Sequence, residues 1–182
     1  MDKKTSPARL LLIDDNEQFR LTLTNAFARR GWRVRATPDA REALVLAEAG
    51  TPSYAVVDLN LDGCTTAGLN LISRLLEIAP AMRIVVLTGY ASIATAVKAI
   101  QLGALHYLSK PTDVDEILAA FQRTGGDAST PLPPLPMSVY QLEWEHLQRT
   151  LLDHDGNISA AARALKLHRR SLQRKLRKHA RW

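Results

Sequence analysis

Through the first 124 residues, short apolar runs alternate with longer stretches in which apolar positions recur every three or four residues. That alternation predicts βαβ units, a parallel sheet with helices on both faces. The expected strands are Arg9 to Asp14, Arg33 to Thr37, Tyr54 to Asp58, Arg83 to Thr88 and Leu105 to Leu108. The first, third and fourth are apolar throughout instead of alternating, so they should be buried on both sides. Helices are expected over Glu17 to Arg30, Asp39 to Ala49, Leu69 to Ile78, Ile93 to Leu102 and Asp113 to Arg123. Asp39 with Glu42 and Asp113 with Glu116 read as capping boxes, and Gly31 and Gly103 as helix stops. The fold class is therefore α/β, a doubly wound five-stranded parallel sheet.

The pattern then changes. Residues 125–137 are rich in glycine and proline and lack apolar periodicity, which predicts a linker holding two independent domains apart. Beyond it, leucine and alanine spacings predict helices at Ser138 to Asp153, Ser159 to Leu165 and about His168 to His179. Lys166 and Leu167 leave room for only a tight turn between the last two, so this part is a small all-α helix-turn-helix. The divisions are 1–124, 125–137 and 138–182.

Charge follows the same boundary. Residues 1–137 carry 14 Lys and Arg against 14 Asp and Glu, whereas residues 138–182 carry 10 against 4. The net charge of +6 thus lies in the small domain, and residues 163–181 hold nine basic groups and no acid. Such a stripe is the footprint of a polyanion partner. No apolar run approaches the roughly 20 residues of a membrane span, and the N-terminus lacks the apolar core of a secretory signal. With Cys64 as its one cysteine, the chain can form no internal disulfide and suits a reducing compartment. A cytoplasmic protein with no membrane contact is expected.

In an open parallel sheet the ligand site lies beyond the carboxyl ends of the strands, and there the sequence concentrates polar residues. Asp14 and Asp15 follow the first strand, Asp58 ends the third, Thr88 ends the fourth, and Lys110 with Pro111 follows the fifth. Clustered carboxylates call for a cation, and an oxygen-rich site with few ligands suits Mg²⁺. Lys110 adds a point charge for a phosphoryl oxygen and Thr88 a hydroxyl. Phosphoryl transfer depends mainly on positioning and charge neutralisation, so these groups form a sufficient apparatus with Asp58 as nucleophile.

Leu11-Leu12-Ile13-Asp14-Asp15-Asn16, Val56-Val57-Asp58-Leu59-Asn60-Leu61, Val86-Leu87-Thr88-Gly89-Tyr90 and Tyr107-Leu108-Ser109-Lys110-Pro111 resemble, in order and spacing, the motifs of the receiver domain of bacterial two-component response regulators. The resemblance covers residues 9–124 and implies a flavodoxin-like fold. It implies that Asp14 and Asp15 help hold Mg²⁺, with Asp58 and the backbone carbonyl of Asn60 completing the protein ligands. By the same resemblance Asp58 is phosphorylated from a histidine kinase, Thr88 and Tyr107 form a switch pair, and the Lys110–Pro111 peptide is cis. One stretch departs from the family: Asp62 and Gly63 stand where proline is common, and Gly68-Leu69 comes late. The loop from Asp62 to Ala67 could alter access to Asp58 or the lifetime of the phosphoryl group. Cys64 in that loop reads as incidental, since it has neither a partner cysteine nor a flanking base.

In the last helix Leu172 and Leu176 share an inward face, leaving Arg169, Gln173 and Arg177 on another, with Arg170 and Arg174 alongside. His168, Arg169, Arg170 and Gln173 are candidates for base edges in a major groove. Ser171, Arg174, Lys175, Lys178 and Arg181 suit phosphate contacts. The segment Gly156-Asn157-Ile158-Ser159-Ala160-Ala161-Ala162-Arg163-Ala164-Leu165, followed by Leu167 to Leu176, resembles the Fis-type DNA-binding domain. That family usually has glycine where Lys166 stands. A receiver joined directly to a Fis-type domain is similar to the PrrA, RegA, ActR and RoxR group of redox-responsive regulators, and no phosphate-binding Gly-x-x-x-x-Gly-Lys loop intervenes.

These features imply a transcription factor and not an enzyme, beyond gaining and losing its own phosphoryl group. Its partners would be a sensor kinase and double-stranded DNA, with phosphorylation favouring a homodimer. Two alternatives stand beside this. A phosphorylation-independent architectural DNA binder would use the receiver only for docking. A phosphatase of the haloacid-dehalogenase type would want a second aspartate two residues after the nucleophile, where Asn60 stands.

Overall fold

The structure, a computed structural model, describes residues 7–61, 65–89, 92–123 and 139–179. Five strands, β1 (Arg9–Ile13), β2 (Arg33–Thr37), β3 (Tyr54–Val57), β4 (Arg83–Thr88) and β5 (His106–Ser109), pair in parallel in the order β2-β1-β3-β4-β5. Between and after them run α1 (Glu17–Arg29), α2 (Ala40–Gly50), α3 (Thr65–Ile78), α4 (Ile93–Gln101) and α5 (Val114–Gln122).

Strand periodicity sends alternate residues to opposite faces. Leu11, Ile13, Ala55, Val57, Ile84 and Val86 pack with α2, α3 and α4, while Leu10, Leu12, Val56, Val85 and Leu87 pack with α1 and α5. This is why the three central strands are apolar at every position between their ends. On the second face Trp32 meets Phe27, Tyr54 and Phe121 in an aromatic cluster with centroids 4.8 to 6.1 Å apart. Trp32 is thus a packing residue.

Most boundaries fall within a residue of expectation, but α3 starts at Thr65 instead of Leu69. Its first turn lacks apolar periodicity, and threonine and glycine are weak helix formers. What fixes that turn is tertiary: a Cβ on Gly68 would lie 2.4 Å from the Cα of Leu59 and 2.6 Å from the carbonyl oxygen of Asp58. The capping boxes are half formed. Asp39 accepts from the amides of Arg41 and Glu42, and those two bonds hold its carboxyl below the usual range. Glu42 then turns to the hydroxyl of Thr37 instead of the Asp39 amide. Likewise Asp113 accepts from the Glu116 amide, and Glu116 binds Thr112.

Three further helices form the second unit: α6 (Val139–Asp153), α7 (Ile158–Ala164) and α8 (Arg169–His179). Trp144, Leu147, Leu151, Ala161, Ala162 and Leu172 make its core, with Ile158, Leu165, Leu167 and Leu176 around them. Asn157 caps α7 by accepting from the amides of Ser159 and Ala160. At its other end Leu167 donates to the Ala162 carbonyl and Lys166 to that of Arg163, the bond pattern of a Schellman stop. Lys166 adopts φ +52°, the left-handed conformation that favours glycine. Lys166→Gly should therefore stabilise the small domain by up to about 1 kcal/mol, read as a later midpoint of its transition in urea.

The two units touch. Helix α6 lies against α4, Leu152 packs on the core beneath α2, α3 and α4, and Glu145 bonds to α4. The expectation of two spaced domains rested on the linker's composition, and residues 124–138 lie outside the described ones. What joins the units is a second stripe on α6, described below.

Candidate functional site

The carboxyl ends of β1, β3, β4 and β5 bring Asp14, Asp58, Thr88 and Lys110 to one edge of the sheet. Asp14, Asp58 and Thr88 are buried, at 2%, 5% and 2% exposure, whereas Asp15 is exposed. Backbone bonds fix these positions: Asp58 donates its amide to Ile13 at 2.8 Å and Lys110 donates its own to Thr88 at 2.8 Å. The carboxylates of Asp14, Asp15 and Asp58 each offer an oxygen within 4.8 Å of the others.

Lys110 binds both buried acids, donating to Asp58 Oδ2 at 2.7 Å and to Asp14 Oδ2. Its ammonium also lies 4.4 Å from the ring centre of Phe19, within reach of a cation–π contact. The Asn60 amide donates to Asp58 Oδ1 at 3.0 Å. The peptide between Lys110 and Pro111 is cis.

Burial pushes the Asp58 carboxyl above the usual carboxylate range, with Lys110 and the Asn60 amide pulling the other way. Burial also works against the charge of Lys110, but Asp58 and Asp14 outweigh it and hold that amine above its ordinary value. Three carboxylates gathered within 4.8 Å of one another offer an oxygen donor set that a divalent cation fits.

Tyr107 shares the sheet face of Val86, its partner in the β4–β5 register, and therefore that of Thr88. Its hydroxyl meets Thr95 Oγ1 at 2.8 Å and accepts from the Ser92 amide at 3.3 Å. Burial raises the pKa of this phenol. Ser92 is in turn the N-cap of α4 and binds the amide of Thr95. Phe19, Ser92 and Thr95 are site residues that sequence reading missed. The Ser92-x-x-Thr95 spacing is an N-cap signal that could have found two of them.

On α8, His168, Arg169, Arg170, Arg174 and Arg177 are exposed at or beyond the turn, with Ser171 and Gln173 half-buried. Leu172 anchors the opposite face at 0% exposure. Lys175 is placed differently: it pairs with Glu143 of α6 and so braces two helices of its own domain. Lys166 and Arg163 are exposed on the turn and helix before. The Lys178 side chain, Arg181, Asp62 and Cys64 fall outside the described residues, as does the disposition of their surroundings.

The pattern of the response regulator receiver domain matches residues 10–122, and that of the bacterial regulatory protein, Fis family, matches residues 138–179. This chain belongs to the response regulators. It is 44% identical over 171 residues to the photosynthetic apparatus regulatory protein RegA of Rhodovulum sulfidophilum, covering 94% of this chain and 92% of that one. It is 43% identical to the acid tolerance regulatory protein ActR of Sinorhizobium medicae, covering 94% and 87%. Among solved structures, a Burkholderia pseudomallei response regulator with a phosphorylated aspartic acid, calcium ion and citrate superposes with a TM-score of 0.65 at 48% identity, covering 92% of this chain and 97% of that one. This response regulator is thus a transcription regulator in which a receiver joins a Fis-type helix-turn-helix directly, as the resemblance to the RegA and ActR group implied. No helix among its described residues is long and apolar enough to cross a membrane.

Proposed function

We propose that a sensor histidine kinase phosphorylates this regulator on Asp58 and that the modification controls DNA binding by residues 138–182. The observation that carries this reading is the placement of Asp58: buried at a strand end, bonded to Lys110, and grouped with two further carboxylates. A carboxylate oxygen of Asp58 attacks phosphorus, forming the P–O bond of an acyl phosphate. The bond from phosphorus to the donor imidazole nitrogen breaks, and the imidazole keeps the electron pair and takes a proton. Lys110 meets the negative charge on the transferred group, and Thr88 donates a hydrogen bond to it. Asp14, Asp15, Asp58 and the Asn60 carbonyl would hold Mg²⁺, which supplies neutralisation of phosphoryl charge. Because the receiver carries these groups itself, it makes its own acyl phosphate from a small donor. Incubation with acetyl phosphate and Mg²⁺ should add one phosphoryl group per chain, seen by intact-protein mass spectrometry. No adduct would overturn the reading.

The Fis-type domain supplies the output. His168, just before α8, and Arg169, Arg170 and Gln173 in its first turns are assigned to base edges, and Ser171, Arg174 and Arg177 to phosphates. Lys175 contributes through Glu143 to the domain's shape. One small helix-turn-helix makes few base contacts, so two copies on half-sites about one helical turn apart give useful specificity. Phosphorylation favours that dimer. Residues 1–124 act as receiver, 125–137 as linker and 138–182 as DNA reader, working in the cytoplasm. Arg169→Ala and Gln173→Ala should each cost about 1–3 kcal/mol on a specific site and relax base preference, whereas Arg174→Ala should weaken all sequences alike and flatten the salt dependence. Fluorescence anisotropy across a salt series distinguishes the two patterns.

A further inference from the structure

The first turn of any helix leaves backbone donors without intrahelical partners. In α4, Ser92 Oγ takes the amide of Thr95, and the two amides before it are taken by the other domain. Glu145 Oε2 accepts from Ile93 at 3.0 Å and Glu145 Oε1 from Ala94 at 3.0 Å. Helix α6 therefore has two working faces. Trp144, Leu147 and Leu151 build the DNA-binding core, while Glu145 and Leu152, two turns apart, meet the receiver.

The same turn of α4 is held from inside by Tyr107, through Ser92 and Thr95. One helical turn thus carries the phenol on one side and the carboxylate of the DNA-binding domain on the other.

We infer that Glu145 is the latch through which the receiver restrains the DNA-binding domain: its carboxylate caps α4 while Tyr107 holds that helix's first turn, and it lets go when the turn moves. The inference rests on the reading that Asp58 is phosphorylated and that Thr88 and Tyr107 respond. If Tyr107 leaves Ser92 and Thr95, the first turn of α4 shifts and Glu145 loses two charge-assisted bonds at once. Because α6 is also the first helix of the DNA-binding core, its release frees the whole unit to meet a half-site and a second copy. Linkage makes the effect reciprocal: a broken latch favours the released state and so favours phosphorylation.

Glu145 is outside the DNA-binding core, so Glu145→Ala should fold. In the full-length unphosphorylated chain it should raise affinity for duplex DNA at least ~5-fold, toward the phosphorylated level, and leave the affinity of the phosphorylated chain unchanged. Glu145→Gln, which keeps an acceptor but loses the charge, should fall between. Amide hydrogen exchange of Ile93 and Ala94 should accelerate in the alanine variant. Combining Glu145→Ala with Asp58→Asn separates the two readings: raised affinity there supports the latch whether or not Asp58 accepts phosphate. Unchanged basal affinity in Glu145→Ala, with the two amides exchanging as in wild type, would overturn the inference.

Discussion

Asp58→Asn should take up no phosphoryl group from acetyl phosphate under conditions that load the wild-type chain fully. The substitution keeps the shape of the side chain and its bond from the Asn60 amide, but an amide oxygen is neutral and a poor nucleophile. Asp15 should not take over, because it is exposed, whereas Asp58 is buried at a strand end with Lys110 at 2.7 Å. The fold should survive: the variant is relieved of a buried carboxylate, and Lys110, which loses the larger of the two charges that hold its amine up, keeps Asp14. Burial raises the pKa of Asp58 above the ordinary value of 3.8. A raised carboxyl favours the fold while protonated and loses that contribution as pH rises through its folded value. Any advantage of the variant is therefore present at neutral pH and disappears in acid. Lys110→Ala acts oppositely, since it strips the ammonium from two buried acids; losing one partner of a buried pair costs about 3–5 kcal/mol. Mg²⁺ should restore part of that loss by supplying the missing positive charge. Urea denaturation at several pH values, with and without Mg²⁺, checks both variants. Full labelling of Asp58→Asn would move the acceptor elsewhere.

Gly68→Ala should be the most damaging single-methyl change in the receiver. A Cβ there would meet the Leu59 Cα at 2.4 Å and the carbonyl oxygens of Asp58 and Leu59 each at 2.6 Å. All three are backbone atoms of the segment that carries Asp58, so no side chain can swing aside. Either α3 lifts from the sheet, withdrawing Leu69 and Ile72 from the core, or the loop after β3 shifts and carries the Asp58 carboxylate with it. Overpacking of this kind costs about 1–3 kcal/mol and more where backbone must move. A slower labelling rate with acetyl phosphate should accompany the loss of stability. Wild-type stability together with wild-type labelling would show that α3 does not rest on this segment.

Local residue patterns were enough to specify the receiver's sheet and the set of polar groups at its edge. Burial on both faces forces β1, β3 and β4 to be apolar at every position between their ends, which is a local signal. The rule that ligands sit at the carboxyl ends of parallel strands then places Asp14, Asp58, Thr88 and Lys110 together without any knowledge of distance. The helix-turn-helix was legible for the same reason, since leucine spacing and the short turn at Lys166 are both features of adjacent residues. Tertiary structure decided the rest. The first turn of α3 has no periodicity and exists because Gly68 fits against Leu59. Lys175 looked like any other cation of the last helix until α6 brought Glu143 beside it. Glu145 meets α4 across 52 and 51 residues of chain, and Tyr107 meets Thr95 only after a crossover from helix to strand. Contacts of that kind leave no repeating pattern in a sequence, because each is a single pairing whose geometry is set by how whole elements pack.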